Sequence, residues 1–334
     1  MKIAIVGKPG SGKSTLFRML TGSDGEIGVA RVPDVRISRL SSIFKPRKTT
    51  FATIELMDVS SGRGPSLEDA RIRQELKKSD LIMPVLAAFS EGKPRDELEA
   101  IITQVALADL EQVEKSIDRL RKSKDAQRGV IPALERYREL LAEGRLLYSS
   151  AQERPDRDSV LSGYDLISLR PFVAAVNLSE EQLSQGYPQK EQMKQFCADL
   201  GIPMVEFAAA LEEEISELPL EEQLAFARSY VLDQPGIYRL ARTAYEALGL
   251  ISFFTVGEDE VRAWPIREGA TAVEAAAKIH TDIARGFIRA EVISYNDFIG
   301  AGSMKAAKQA GLVRLEAKTY VVRDGDIMNF RFAI

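Results

Sequence analysis

The residues of this 334-residue chain best suited to chemistry gather at its start, in Gly7-Lys8-Pro9-Gly10-Ser11-Gly12-Lys13-Ser14-Thr15. The first eight match G-x-x-x-x-G-K-[ST] in full. Glycines let the backbone turn tightly, so that consecutive N–H groups face one anion. A helix opening near Lys13 adds the positive end of its dipole at the same point. In such a loop Gly10, Ser11, Gly12, Lys13, Ser14 and Thr15 enclose the phosphates of a nucleotide. Lys13 reaches β- and γ-phosphate oxygens, and the Ser14 hydroxyl is a ligand for Mg²⁺.

Two further positions fit the same chemistry. Asp58 closes the apolar run FATIELMD and suits a second-sphere Mg²⁺ contact through water. Asn177-Leu178-Ser179-Glu180 follows PFVAAV, where guanine-reading loops carry Asn-Lys-x-Asp. In those loops the final Asp accepts hydrogen bonds from guanine. Here Leu178 replaces the Lys and Glu180 replaces the Asp. Adenine offers an amino donor where guanine has a carbonyl, so residue chemistry favours ATP at least as much as GTP. The plainer reading of Ser179 is a helix N-cap.

The elements that must position these residues are legible as patterns. Residues 2 to 6 read as a short buried strand, and Leu16, Met19 and Leu20 have helical spacing. Apolar strands at 51–59, 80–88, 171–176 and 203–207, with helices between them, argue for an α/β fold with a parallel sheet covered on both faces. From about 104 to 144 the pattern becomes helical. Leu110, Val113, Ile117 and Leu120 form a heptad-like seam that Leu134, Tyr137 and Leu141 continue after a polar stretch. That is the signature of an antiparallel helical hairpin. Arg119, Arg121, Lys122, Lys124 and Arg128 lie near its tip, either as a solvated face or as a surface for RNA or a partner. After a helix near 238–248, short strands are expected at 251–256, 261–265, 287–292, 320–322 and 327–332. Short helices are expected at 272–280 and 303–310. The expected division is 1–103 and 166–249 for the sheet domain, 104–165 for the hairpin and 250–334 for a small α+β domain.

Bulk properties exclude other classes. A net charge of −4 gives no global attraction to nucleic acid, so any such contact needs a local patch. Cys197 is the single cysteine and His280 the single histidine, which removes an intrachain disulfide and a Cys/His metal cluster. The opening MKIAIVGKPG is broken too early by Gly and Pro for a signal peptide. No apolar run is long enough for a membrane-spanning helix. A cytoplasmic protein is expected.

Taken together, these residues resemble the Obg-like ATPases of the YchF subfamily, within the translation-factor-related P-loop GTPases. The resemblance covers nearly the whole chain: the loop at 7–15, VPDVRISRLSSIFKPRKTTFATIELMDV at 32–59, ALADLEQVEKSIDRL at 106–120, VNLSEEQL at 176–183, and 251–298 with 321–332 at the end. It implies a P-loop NTPase G domain, a helical coiled-coil insert and a C-terminal β-grasp TGS domain. It implies ATP as ligand, read by Asn177 and Glu180, with Leu178 giving a backbone contact to adenine. Ala209, Ala210 and Leu211, within 207–212, stand in for the loop that closes over the base. Ribosome or RNA, met through the insert and the TGS domain, are the implied partners of a monomer.

The departures bear on turnover. The segment Thr21–Val29 is shorter than the family's, so the switch threonine that completes Mg²⁺ coordination has no counterpart. Asp58-Val59-Ser60-Ser61-Gly62 replaces Asp-x-Ala-Gly, and Arg63-Gly64-Pro65 is all that is left of a longer basic segment. The expectation is therefore that ATP binds with Mg²⁺ while hydrolysis is slow or absent, and no residue is assigned as catalytic. The alternatives are a nucleotide-binding interaction module without significant hydrolysis, or GTP binding. Trp264 with Arg262 and Arg267 reads either as an RNA-facing patch or as part of the small domain's core.

Overall fold

The computed structural model describes residues 1–333 except 60–68, 90, 123–129, 149–163, 217, 220, 221, 224, 226, 227 and 229–233. The chain divides into two compact units, Met1–Ala30 with Glu55–Ala247, and Arg31–Ile54 with Leu248–Ile334.

The first unit is built on a six-stranded sheet of β1 (Lys2–Val6), β2 (Ile27–Arg31), β4 (Thr53–Asp58), β5 (Leu81–Ala87), β6 (Ala174–Asn177) and β7 (Met204–Phe207), in the order β2-β4-β1-β5-β6-β7. β1 runs parallel to β4 and β5, β5 to β6, and β6 to β7. Ile3 to Val6 and all of Ala174 to Asn177 are buried, as strands covered on both faces must be. The helices are α1 (Lys13–Thr21), α3 (Ala70–Lys78), α4 (Pro94–Lys122), α5 (Ile131–Ala142), α6 (Glu180–Gln185), α7 (Lys190–Asp199), α8 (Ala209–Ile215) and Gly236–Ala247. The strands lie close to where the apolar runs put them.

α4 departs from expectation. It starts at Pro94 rather than near 104, with Asp96 and Glu97 in its first turn, a favourable start on both steric and dipole grounds. Its first turns belong to the sheet domain, because Leu98 and Ile102 pack with Leu86 and Phe172. Its second half meets α5 through Val113, Ile117 and Leu120 against Leu134, Tyr137 and Leu141, as the seam required. At 1.5 Å per residue the helix is on the order of 40 Å long. Midway along it the buried Asp109 accepts hydrogen bonds from the N–H groups of Ile167 (3.1 Å) and Ser168 (2.7 Å), which ties the insert to the chain returning to β6.

Cys197 sits on α7 inside the sheet core, 2% exposed. Burial pushes its thiol up to about 11. Access and thiolate fraction both fall, so the native thiol should react with a disulfide reagent at pH 8 roughly a hundredfold more slowly than in urea. Absorbance of the released thiol measures this, and equal rates would show that the α7 packing is wrong.

The second unit has its own sheet, made of β3 (Lys48–Thr50), β8 (Leu250–Thr255), β9 (Glu260–Arg267), β10 (Phe287–Ser294), β11 (Arg314–Glu316) and β12 (Asp326–Phe332) in the order β11-β10-β12-β8-β9-β3. Helix Ala272–Ile279 covers it, burying Ala272, Ala275 and Ala276 against Phe253, Phe287 and Val292. Two expectations need correcting. Tyr320–Val322 is not a strand but makes one bridge, Thr271 to Val321. More important, the chain that links β2 to β4 is packed into this unit, which takes in Arg31–Ile54. β3 runs parallel to β9, and Thr50 Oγ1 donates to Glu260 at 2.6 Å. On α2 (Val35–Phe44), Arg36 is held by Asp34 (2.8 Å) and Asp324 (2.7 Å) over the Phe254 ring. Burial opposes the charge on Arg36, yet the two carboxylates raise its pKa further above the usual arginine value. Among the described residues no helix is long and apolar enough to cross a membrane.

Candidate nucleotide site

The site begins where β1 gives way to a loop. Gly7 has φ 153°, and a Cβ there would lie 2.3 Å from Val85 O. Gly12 has φ 96°, and a Cβ there would lie 2.2 Å from Asn177 Nδ2. Only glycine fits either position. Gly12 is also the N-cap of α1, with no capping side chain and no acid in the first turn. The first helical bond joins Leu16 N to Gly12 O at 2.9 Å. The N–H groups of Lys13, Ser14 and Thr15 therefore have no helical acceptor and sit at the positive end of the dipole.

The side chains add to that field. Lys13 is buried, and its Nζ donates to Lys8 O at 2.8 Å. Burial lowers its pKa, with Asp58 and Glu97 opposing the shift. Ser14 Oγ lies 3.4 Å from Asp58 Oδ2, a hydroxyl beside a carboxylate as a hard cation prefers. Ser11 Oγ is buried without a hydrogen-bond partner among the described residues. Uncapped amides, a desolvated ammonium and an orphaned hydroxyl around one loop fit a polyphosphate. The oxygen pair fits Mg²⁺. No group of three or more His, Cys, Asp or Glu side chains that could hold a metal occurs among the described residues. The remaining metal ligands would have to come from phosphate and water.

Asn177, at the end of β6, is 3% exposed. Its Nδ2 donates to Ser11 O and its Oδ1 accepts from Ala209 N, both at 3.0 Å. One side chain thus fastens the loop to the first residue of α8. Leu178 turns into the sheet core, and its N–H donates to Phe207 O at 2.8 Å. Ser179 caps α6 in a capping box with Gln182, the plainer of the two readings. Glu180 is the exposed first residue of α6; Ala210 is exposed and Leu211 half-buried on α8. The sequence thus puts Asn177, Leu178, Glu180, Ala209, Ala210 and Leu211 on two neighbouring turns, with Asn177 and Ala209 in direct contact.

Two buried acids escaped sequence reading. Glu212 accepts from Gly236 N (3.1 Å) and Ile237 N (2.9 Å), capping the helix that starts there. Burial raises its pKa against those bonds. Glu97, from the first turn of α4, lies 3.1 Å from Lys8 Nζ. Both occur in runs that look like ordinary helix starts, so only the packing separates them from surface carboxylates. Ser60, Ser61, Gly62, Arg63, Gly64 and Pro65 lie outside the described residues, as do Lys124 and Arg128. At the hairpin tip Arg121 pairs with Glu135 at 2.7 Å. Arg119 instead joins Arg73, Lys77 and Lys115 along a groove of about 400 Å³. In the second unit Trp264 is half-buried, its Nε1 donating to Thr255 at 2.9 Å, with Arg262 stacked 3.9 Å above its ring.

Comparison with known proteins gives a consistent result. Residues 2–126 match a family model described as 50S ribosome-binding GTPase, and residues 250–333 match the model YchF-GTPase_C, described as a protein of unknown function. The ribosome-binding ATPase YchF of Haemophilus ducreyi is 36% identical over 364 positions, covering 100% of this chain and 99% of the relative. That of Bacillus subtilis is 33% identical, covering 99% and 98%. The alignment with the first is longer than this chain's 334 residues, so stretches of that relative have no counterpart here. Among solved structures, the YchF GTPase of Schizosaccharomyces pombe superposes with a TM-score of 0.87 at 26% identity, covering 99% of this chain and 97% of the other. A GTP-binding protein of Pyrococcus horikoshii superposes at 0.61 and 18% identity, which speaks for the fold alone. With full-length relatives at this identity, the P-loop α/β fold and the C-terminal domain in place, the chain belongs to the YchF family.

Proposed function

We propose that this chain binds ATP with Mg²⁺ at Gly10 to Thr15, turns it over slowly, and docks on the ribosome. The observation that carries the reading is the uncapped α1 start, where Lys13 Nζ rests on Lys8 O for want of a stronger acceptor. On this reading Lys13 and the three amides hold the phosphates, and Ser14 with Asp58 holds the metal, which supplies charge neutralisation to the phosphates. The base is met by Asn177, the Leu178 carbonyl, Glu180 and the α8 start at Ala209, Ala210 and Leu211. ATP is favoured over GTP by Leu178 and Glu180, and by the curated relatives that are named ATPases.

Slow turnover follows from the segment between α1 and β2. Only residues 22–26 separate the two elements and none is a threonine, while Thr21, the last residue of α1, donates its hydroxyl to Phe17 O at 2.8 Å. No threonine is left to close a metal shell, and water positioning gives phosphoryl transfer much of its rate. Ribosome docking is supported by the relatives' names, and by a groove whose four cations, Arg73, Lys77, Lys115 and Arg119, outnumber its two acids, Asp109 and the Lys115-paired Glu111, a balance that suits a phosphate backbone. Sedimentation of the full chain with ribosomes, with ATP, with ADP and without nucleotide, tests the docking. Co-sedimentation that falls steeply with salt is expected; none under any condition would refute it. Single-turnover hydrolysis of radiolabelled ATP tests the enzymatic part, and phosphate release no higher than in K13A would leave a binding module.

A further inference from the structure

The loop holds a second ammonium for which the phosphate motif gives no role. Lys8 follows Gly7 directly, its side chain is 64% exposed, and its Nζ is 3.1 Å from Glu97 Oε1. Glu97 comes from the first turn of α4, and its side chain is only 10% exposed. Its Oε2 is buried with no hydrogen-bond partner among the described residues. A carboxylate so desolvated needs a cation beside it. The exposed stem of Lys8 leaves the cation free to move. The position of residue 8 along the phosphates follows from Lys13, the group that reaches β- and γ-phosphate oxygens. Its Nζ touches Lys8 O, so residue 8 lies at the terminal-phosphate end of the cradle.

From this geometry we infer that Lys8 is a second phosphate-directed lysine, held on Glu97 in the free protein and released to the terminal phosphate of a nucleoside triphosphate. The inference rests on the nucleotide-binding reading above. The Lys8 ammonium then has two anions to choose between, the Glu97 carboxylate and the terminal phosphate. The triphosphate competes with Glu97 for one cation, and a diphosphate lacks the group that competes. Lys8 thereby favours ATP over ADP.

Calorimetric titration of the full chain with MgATP and, separately, MgADP tests this through binding rather than turnover. K8M should weaken ATP about tenfold, as loss of one charge-assisted contact does, and ADP less than about twofold. K8R should keep the ATP to ADP ratio near that of the wild type. E97Q should tighten ATP by about threefold more than ADP, because Lys8 no longer has a competing anion. A purely structural ion pair would give losses of one sign, equal for both nucleotides. K8M affinities unchanged or reduced alike for ATP and ADP, or weaker ATP binding by E97Q, overturn the inference. Absence of ATP binding by the wild-type chain overturns the nucleotide-binding reading as well, which separates the two failures.

Discussion

Replacing Lys13 by alanine is expected to abolish measurable ATP binding while leaving the fold intact. The ammonium is buried, yet its nearest acceptor is a neutral carbonyl in its own loop. Two charge-assisted hydrogen bonds to phosphate oxygens are worth about 1.5–3 kcal/mol each. Their joint loss corresponds to on the order of a hundredfold to ten-thousandfold in affinity. Stability without ligand moves the other way. Burial lowers the Lys13 pKa below its unfolded value. The unfolded chain therefore holds the proton more tightly, and the wild-type fold gains stability as pH rises toward 10.5. Below that window the buried charge opposes folding in full, so K13A should melt no lower than the wild type at neutral pH. With ATP at about 100 times its dissociation constant, binding stabilises the wild type by about 2.7 kcal/mol. That is roughly 5–10 °C for a unit of this size, and K13A should show no shift. Thermal melting with and without MgATP reads both effects; a full ATP-induced shift in K13A would exclude the phosphate role of Lys13.

The second large effect is expected from Asn177→Asp, a change that conserves shape. Asn177 Oδ1 accepts from Ala209 N, and an aspartate oxygen still can. Nδ2 donates to Ser11 O, and an aspartate oxygen there would face a carbonyl it cannot bond. The site is 3% exposed, so water cannot relieve the clash. An unsatisfied buried carbonyl costs about 1–3 kcal/mol, and a buried carboxylate without a cation adds to that. A loss of about 3 kcal/mol in urea denaturation is expected, together with weaker ATP binding, because the loop is no longer fastened to α8. The deficit should shrink as pH falls and the new carboxyl takes up a proton that can be donated to Ser11 O. A pH-independent loss, or none, would show that the Asn177 bridge does not hold the loop.

The sheet of the first unit was legible because its signals are local. A strand buried on both faces shows as a run of apolar residues, and the phosphate loop declares itself in eight residues. The hairpin seam was legible for the same reason. Residues 31–54 were not, since their place depends on β3 meeting β9 and Arg36 meeting Asp324, partners more than two hundred positions away in sequence. The site divides along the same line. Lys13, Ser14 and Asp58 came from the motif and its strand-end partner. Asn177 was read as a base-recognition residue, whereas its side chain also bridges the phosphate loop and α8. Glu97 and Glu212 carry no local mark, because burial by a distant element is what gives each its role.

The cradle at Gly7 to Thr15 is expected to hold ATP in preference to GTP. Its most direct test is calorimetric titration of the full chain with MgATP and with MgGTP under one set of conditions. One ATP per chain is expected, bound at least about tenfold more tightly than GTP, with binding lost in K13A. Tighter binding of GTP, or heat from ATP that persists unchanged in K13A, would contradict it.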